Sequence, residues 1–369
     1  MKIAIISPLE MRVPPVAYGG TELVVSLLTE ELVRRKHDVT LFASGDSVTS
    51  AHLAPGSETF LRGSSRNKEV LSLLNAVTCL EQAGTFDIVH NHTALEGMAM
   101  AGLVKTPVLT TLHGHFAGDW QLIYDRYSGW YNTISQSAKM LLPPKERFAG
   151  VIYNGIDCST YPYNPGPRED FMLYLSRISH EKGAHLAVEV ARRLGRRLVI
   201  AGNVDSVDVE YFETKVRPHV DGELIQYVGE ADYTCKRDLL SRASCLIAPI
   251  TWNEPFGLFM VEAMACGTPV VVSRRGSAPE VVEHGVTGYV VDSLDEMVEA
   301  MGKVHTISPE ACRERAEREF SVERMTGGYL AAYERIAGEA HSKPRRLRRF
   351  SAVGKALAHR SRDGARVPS

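Results

Sequence analysis

The stretch CLIAPITWNEPFGLFMVEAMACGTPVVVS, residues 245–273, contains the pattern of a strand, a loop, a helix and a second strand in direct succession. Its two ends, residues 245–250 and 269–273, are short apolar runs rich in Val and Ile, which is typical of buried parallel strands. Between them, Pro255 lies where a helix would begin. Because parallel strands need a crossover between them, this stretch predicts a β-α-β unit of an α/β protein.

The same alternation continues on both sides of this stretch. A first series of predicted strands comprises residues 2–7, 38–43, 87–90, 107–112, 131–135 and 151–154, and a second comprises residues 171–176, 197–201, 224–228, 245–250, 269–273 and 289–291. Repeated β-α-β units predict two Rossmann-like parallel sheets, each covered by helices. A Pro-rich segment, residues 157–167, marks the seam between them. We therefore expect an N-terminal domain over residues 1–157, a C-terminal domain over 158–320, and an additional helix near 321–338.

Composition and charge exclude several classes of protein. The 369 residues carry 42 Lys or Arg and 44 Asp or Glu, a net charge of −2, so no nucleic-acid partner is expected. Residues 341–369 differ, with nine basic residues and one acidic residue. We expect this basic tail to be disordered, and contact with anionic lipid is the alternative.

The cysteines and the apolar runs indicate the cellular location of the protein. Six cysteines without C-x-x-C spacing in a chain of this length predict reduced, mostly buried thiols. The first ten residues resemble a strand more than a signal peptide, and no apolar run approaches the roughly 18 residues of a membrane span. These observations predict a cytoplasmic protein, with peripheral contact at the inner face of the membrane as the alternative.

Ligands of open α/β sheets bind beyond the carboxyl ends of the strands, and two facing domains would form a cleft there. Glu254 lies in the loop after one such strand, and Glu262 about two turns inside the following helix. The free N–H groups of Gly257, Leu258 and Phe259 would face the cleft. Carboxylates accept from hydroxyls and a helix N-terminus binds an anion, so this segment predicts a nucleotide sugar as ligand.

Two further sets of residues could bind a diphosphate. Arg177 and Lys182 follow the strand predicted at residues 171–176, where both cations could neutralise one diphosphate in place of a divalent metal. Gly19 and Gly20 open the helix predicted after the first strand, where their backbone N–H groups could approach a phosphate. The sequence has no D-x-D triplet and no G-x-G-x-x-G loop, so we predict no metal site and no dinucleotide cofactor.

Histidines follow two predicted strands of the first series. His113 is expected at the edge of the cleft, where a neutral imidazole would donate to a sugar hydroxyl or accept from it. His90 and His92 form an H-x-H pair, which we expect to direct its rings to opposite sides and therefore not to bind metal. His115, two positions beyond His113, is an alternative to it.

Over residues 1–340 the sequence resembles the family 4 retaining glycosyltransferases, which have the GT-B architecture of two Rossmann-like domains facing across a cleft. In the second half the resemblance rests on Glu254 and Glu262 with their Pro-Phe-Gly and Glu-Ala-Met-Ala-Cys-Gly-Thr-Pro context, on residues 177–183 and on Gly-Val-Thr-Gly-Tyr-Val at 285–290. In the first half it rests on residues 18–22, 87–92 and 154–157.

The resemblance implies a role for each matching residue. Glu254 would contact the hydroxyls of the transferred sugar, and Glu262 would hold the ribose. Arg177 and Lys182 would bind the diphosphate, and Gly20 would let it approach. His113 would lie near the donor sugar. The resemblance also implies that the last helix returns to the first domain.

The sequence thus predicts a metal-independent enzyme that transfers a hexose, with retention, from a nucleotide sugar such as UDP-glucose to a hydroxyl acceptor. Synthesis of a cell-surface polysaccharide or glycolipid is the setting we expect. A nucleotide-sugar epimerase and a non-catalytic nucleotide-sugar-binding homologue remain the alternatives. The acceptor itself is not identified by any motif.

Overall fold

The structure is a computed structural model that describes residues 1–17, 19–93, 95–114 and 119–342. His115 and residues 343–369, which form most of the predicted basic tail, lie outside the described residues. The thirteen strands of the described residues are β1 Lys2–Ile6, β2 Asp38–Ser44, β3 His52–Ser57, β4 Ile88–Asn91, β5 Val108–Leu112, β6 Trp130–Thr133, β7 Phe148–Val151, β8 Glu169–Leu175, β9 Arg197–Ala201, β10 Ile225–Tyr227, β11 Ala243–Ala248, β12 Val270–Ser273 and β13 Gly288–Val291.

These strands form two parallel sheets. The first has the order β3-β2-β1-β4-β5-β6-β7 and the second has the order β10-β9-β8-β11-β12-β13. In both, the strand order reverses direction next to the first strand of the series, which leaves a crevice at the carboxyl edge of the sheet. The prediction of two Rossmann-like sheets is therefore confirmed.

Helices connect the strands and cover the sheets. Within the described residues they are α1 Gly20–Arg34, α2 Lys68–Glu81, α3 Leu95–Met100, α4 Trp120–Arg126, α5 Gln136–Met140, α6 Ala184–Leu194, α7 Val209–Tyr211, α8 Tyr233–Arg242, α9 Leu258–Ala265, α10 Ala278–Val281, α11 Leu294–Met301, α12 Pro309–Phe320 and α13 Val322–Ser342. Each sheet is buried on both faces, because separate apolar clusters lie on its two sides. This explains why most strands are continuous apolar runs instead of alternating ones.

Helix α13 packs on the first sheet although it follows the second in sequence. Its residues Met325, Tyr329, Tyr333 and Ile336 are buried in the same cluster as β1 and α1. The chain passes between the sheets twice, and the two passages are adjacent, since the N–H of Val322 donates to the carbonyl of Ile156 at 2.9 Å. The domain limits given above stay a prediction.

Three local predictions were wrong. Strand β3 was missed because it contains Pro55 and Gly56, which weaken the strand signal but are tolerated at the edge of a sheet. Strand β7 begins three residues before the predicted segment of residues 151–154. Helix α9 begins at Leu258 and not near Pro255, because Gly257 has a φ of 77° and ends the irregular loop there. Glu262 consequently lies one turn inside the helix.

Candidate functional site

A cleft lies between the carboxyl edges of the two sheets. Its cavity volume is about 320 Å³, which is within the usual range for small-molecule sites. All ten residues that the sequence singled out contribute to its lining: Gly19, Gly20, His113, Arg177, Lys182, Glu254, Gly257, Leu258, Phe259 and Glu262. The fold therefore brings together side chains that are separated by up to 243 positions in the sequence.

The N-termini of α1 and α9 face each other across this cleft. A Cβ atom built on Gly20 would lie 3.5 Å from Cδ1 of Leu258, the first residue of α9. Each helix is preceded by a glycine with positive φ, 151° at Gly19 and 77° at Gly257, and neither glycine offers a side-chain cap. The first N–H groups of both helices therefore lack an intrahelical acceptor and present positive potential to the cleft.

Lys182 and Glu254 form a buried ion pair in the lining of the cleft. Nζ of Lys182 lies 2.5 Å from Oε2 of Glu254, and the side chains are only 11% and 8% exposed. The indole N–H of Trp252 donates to the same oxygen at 3.0 Å, and the Lys182 ammonium also lies 4.5 Å from the Trp252 ring centroid. The pair places one cation and one carboxylate side by side in the lining of the cleft.

Arg177 lies among carboxylates. Its guanidinium pairs with Glu181 in the same loop, and it lies 3.5 Å from Asp205 and 3.7 Å from Asp208. Asp205 also accepts from Arg62 at 2.8 Å, which joins the first sheet's half to the second. A diphosphate that binds Arg177 must therefore compete with these carboxylates, which the sequence analysis did not foresee.

Glu262 has two partners that the sequence analysis missed. Nζ of Lys236 lies 2.6 Å from Oε1 of Glu262, and the hydroxyl of Tyr161 donates to the same oxygen at 2.9 Å. Lys236 itself lines the cleft. The sequence pattern could have indicated Lys236, because this residue lies on the first turn of the helix after β10, at the same sheet edge as the other site residues. Tyr161 and Trp252 carried no comparable signal.

His113 is linked to His92 and His90 by hydrogen bonds. Nε2 of His113 lies 2.8 Å from Nδ1 of His92, and Nε2 of His92 lies 3.2 Å from Nδ1 of His90. Burial lowers the pKa of all three imidazoles, that of His113 to about 4. All three are consequently neutral near pH 7.

The expectation that His90 and His92 point to opposite sides is wrong. Their ring centroids are 4.0 Å apart. The physical reason is that residues two apart on an extended segment share a face of the sheet. Within the described ranges, no group of three or more His, Cys, Asp or Glu side chains could hold a metal ion.

All six cysteines are free, and five of them are buried, which confirms the prediction of reduced, mostly buried thiols. In the part of the chain that the structure describes, no helix combines the length and the apolar character needed to cross a bilayer.

Comparison with known proteins gives concordant matches in both halves. The family described as "Glycosyltransferase Family 4" matches residues 18–160, and the family described as "Glycosyl transferases group 1" matches residues 162–319. The chain is 29% identical to a glycogen synthase of Mycobacterium tuberculosis over 339 residues, which cover 74% of this chain and 79% of that protein. It is 28% identical to an alpha-maltose-1-phosphate synthase of Mycolicibacterium smegmatis over 375 residues, covering 86% and 94%.

Solved structures agree in fold. AviGT4, a glycosyltransferase involved in avilamycin A biosynthesis, superposes with a TM-score of 0.71 at 25% identity and covers 91% of this chain and 98% of its own. HepE of Anabaena, solved in complex with UDP-glucose, superposes with a TM-score of 0.68 at 20% identity, covering 93% and 100%. With two facing parallel sheets, a shared cleft and family matches over both halves, the chain belongs to the family 4 glycosyltransferases and has the GT-B fold.

Proposed function

We propose that this protein transfers a hexose, with retained anomeric configuration, from a nucleoside diphosphate sugar such as UDP-glucose to a hydroxyl acceptor. The observation that carries the proposal is the convergence of Lys182, Glu254 and Glu262 on one cleft between two helix N-termini. Such a cleft offers carboxylates to hydroxyls at two places and positive potential to a pyrophosphate between them. The UDP-glucose complex of HepE, a protein of the same fold, supports this choice of donor.

Each of the ten predicted site residues has a role in this reaction. Glu254 accepts from hydroxyls of the transferred sugar, and Glu262 accepts from those of the ribose. Arg177 and Lys182 bind the pyrophosphate together with the N–H groups of Gly257, Leu258 and Phe259. His113 lies on the opposite wall, toward the sugar. Gly19 and Gly20 allow the backbone of the first half to approach the same phosphates.

The reaction step follows from where charge develops. When the bond between the sugar and the diphosphate breaks, negative charge grows on the leaving oxygen, and the fixed cations stabilise it more than they stabilise the ground state. We propose departure and attack on the same face of the sugar, with the leaving phosphate accepting the proton of the acceptor hydroxyl. Trapping of a covalent glycosyl-enzyme would contradict this step, because it requires a carboxylate nucleophile.

A thermal-shift series with UDP, GDP, ADP and dTDP tests the donor site. A nucleotide that binds the folded state raises the midpoint by mass action, and at 100 times its Kd it stabilises by about 2.7 kcal/mol. Of the four nucleotides, we expect UDP to give the largest shift of the midpoint. We expect Glu262→Gln to reduce that shift. If none of the four changes the midpoint, the donor proposal fails.

Product analysis separates transfer from its alternatives. With labelled UDP-glucose and no acceptor, an epimerase yields a new nucleotide sugar, whereas a transferase yields only slow release of UDP and free sugar. A non-catalytic homologue yields neither product. The anomeric configuration of a glycoside formed with any accepted alcohol, read by NMR, tests retention. The same assay in EDTA tests the proposal that Arg177 and Lys182 replace a divalent ion, since we expect the rate to be unchanged.

The proposal also includes a cytoplasmic setting and synthesis of a cell-surface polysaccharide or glycolipid. The six free cysteines support the first. The charge of residues 341–369 supports contact with the inner face of a membrane. Co-sedimentation with vesicles of anionic lipid, compared between the full chain and a chain ending at residue 342, tests this contact; equal binding by both would contradict it.

A further inference from the structure

A continuous chain of hydrogen-bonded side chains extends from the cleft into the first half of the protein. His113, His92 and His90 are joined in that order through distances of 2.8 and 3.2 Å. Nε2 of His90 then lies 2.7 Å from Oγ1 of Thr111, which lies 2.7 Å from Oδ1 of Asn132. We call these five residues the histidine chain. The last four members are buried, and His113 is the member that lines the cleft.

The hydrogen bond between Thr111 and Asn132, at the end of the histidine chain away from the cleft, sets the direction of the other hydrogen bonds. A threonine hydroxyl has one hydrogen and two lone pairs, and an amide oxygen can only accept. The Thr111 hydroxyl therefore donates its hydrogen to Oδ1 of Asn132 and can only accept from its other neighbours. Tyr329, at 3.2 Å, is one of those neighbours, and Nε2 of His90 is the other. It follows that Nε2 of His90 carries a hydrogen.

The remaining hydrogens follow one by one, since a neutral imidazole carries a single N–H. His90 protonated at Nε2 has a bare Nδ1, which accepts from the hydroxyl of Tyr333 at 2.6 Å. The same Nδ1 lies 3.2 Å from Nε2 of His92, so its single lone pair is shared between that nitrogen and the Tyr333 hydroxyl. Nε2 of His92 therefore carries a hydrogen, because two bare nitrogens at this distance would repel each other. Nδ1 of His92 is then bare and accepts from Nε2–H of His113.

All three rings are neutral near pH 7. Burial lowers the pKa of each imidazole, and for His90 and His92 a neighbouring imidazole lowers it further. No carboxylate contacts any of the three rings through a hydrogen bond or ion pair within the described residues. None of the residues that the structure describes therefore favours a positive charge on His113.

We propose that the histidine chain holds His113 as the Nε2–H tautomer, so that its bare Nδ1 accepts a hydrogen bond from a hydroxyl of the ligand in the cleft. Nε2 is committed to His92, which leaves Nδ1 as the ring nitrogen for a ligand. Among the residues that the structure describes, no atom donates to Nδ1. His92, His90, Thr111 and Asn132 do not line the cleft and act as positioning residues. The identity of the ligand as a sugar rests on the proposed function.

A bare Nδ1 on His113 makes the site selective among sugars. A bare nitrogen accepts from O–H but repels a carbonyl or ether oxygen, which can only accept. The site therefore selects a sugar that presents a hydroxyl at this position, and it disfavours one that is methylated or oxidised there. The C-terminal helix α13 contributes to this selectivity through Tyr329 and Tyr333, whose hydroxyls contact Thr111 and His90.

The tautomer can be measured without any ligand. In the full chain labelled with ¹⁵N-histidine, long-range ¹⁵N–¹H correlation spectra near pH 7 distinguish a protonated ring nitrogen from a bare one. Comparison with His113→Asn assigns the signals of His113. We expect a protonated Nε2 and a bare Nδ1. A protonated Nδ1, or a charged ring, would overturn the proposal whether or not the protein is a glycosyltransferase.

A pair of neighbouring threonines provides a matched control. Thr111→Val removes the acceptor of His90 Nε2–H, and we expect a population of His113 with the hydrogen on Nδ1 to appear. Thr110→Val removes an equally buried hydroxyl that contacts Asn91 and Tyr127 and lies outside the histidine chain. We expect it to leave the His113 signals unchanged. Identical His113 spectra in both variants would contradict the role assigned to Thr111.

Donor analogues test the selectivity. Fluorine in place of a hydroxyl can accept a hydrogen bond but cannot donate one. At the position that contacts His113, the fluoro and deoxy analogues should therefore both bind about 10-fold more weakly than UDP-glucose. In His113→Ala this loss should vanish. If the fluoro analogue binds as well as UDP-glucose at every position, His113 does not act as the acceptor. Failure of UDP-glucose itself to bind would contradict the proposed function and leave the measured tautomer standing.

Discussion

Nζ of Lys182 lies 2.5 Å from Oε2 of Glu254, although the two residues are 72 positions apart in the sequence. Both side chains are nearly buried, so neither charge is solvated by bulk water. Such a pair is strongly coupled, because removing one member leaves the other charge buried without compensation. The ammonium therefore has two tasks, to neutralise Glu254 and, in the proposed function, to bind the pyrophosphate.

The two tasks of Lys182 can be separated by a double variant. Lys182→Met should lower the rate of UDP release from UDP-glucose by about 10²- to 10³-fold and destabilise the protein by about 3 to 5 kcal/mol. Adding Glu254→Gln removes the uncompensated charge, so stability should recover while activity stays low. Urea unfolding and the release assay measure the two effects. Lys215→Ala, an exposed lysine outside the cleft, serves as control, and a rate near that of the wild type in Lys182→Met would contradict the role of Lys182.

The raised pKa of Glu22 predicts that the free energy of unfolding depends on pH. Burial raises the pKa of this carboxyl at the start of α1 from 4.5 to about 7. Between these values the folded state binds a proton that the unfolded state does not, so the contribution of Glu22 to stability is present below about pH 4.5 and is lost as the pH rises through 7. The loss is on the order of 3 kcal/mol.

Glu22→Gln has no charge to bury and should lack this loss. We expect the difference in free energy of unfolding between variant and wild type to grow in favour of the variant from pH 4.5 to pH 7.5. Urea unfolding at several pH values measures it. A difference that is constant over this range would show that Glu22 titrates normally.

Glu280 connects the two halves of the protein. Its carboxylate accepts from the N–H groups of Gln136 at 2.7 Å and Ser137 at 2.6 Å, at the start of α5, and from the hydroxyl of Tyr153 at 3.0 Å. Glu280→Ala removes all three bonds and should cost about 1 to 2 kcal/mol, whereas Tyr153→Phe removes one and should cost about 0.5 to 1 kcal/mol.

The double variant of Glu280 and Tyr153 tests whether these contacts act together. Because Tyr153→Phe has no partner left to lose once Glu280 is alanine, the two effects should add to less than their sum. Full additivity in thermal or urea unfolding would mean that the hydroxyl of Tyr153 and the carboxylate do not interact in solution.

The cysteines give a rapid test of the fold. Cys235 is exposed and the other five cysteines are buried. A maleimide reagent should therefore modify one thiol in the native protein and six after denaturation. Mass spectrometry of the labelled peptides identifies the site. Rapid native labelling of Cys245 or Cys266, which are fully buried in the second half, would contradict the packing described here.

Local sequence patterns predicted much of this protein. Strand and helix patterns depend on residues within a few positions, so β8, β9 and β11 were placed within about three residues of their observed ends. The same patterns failed at β3, where the edge position and not the local sequence makes Pro55 acceptable. Glu254 and Lys182 were found because each follows a strand, and the carboxyl ends of parallel strands meet at one edge.

The sequence by itself determined the two-sheet architecture, the family and the residues that gather at the cleft, because apolar runs, glycines and strand-end motifs are local features. Only the tertiary structure decided which of those residues pair. Lys236 reaches Glu262, three carboxylates surround Arg177, and Tyr333 reaches His90 from 243 positions away. The physical reason is that hydrogen bonds and ion pairs act over about 3 Å in space, and packing alone brings such distant positions within that range.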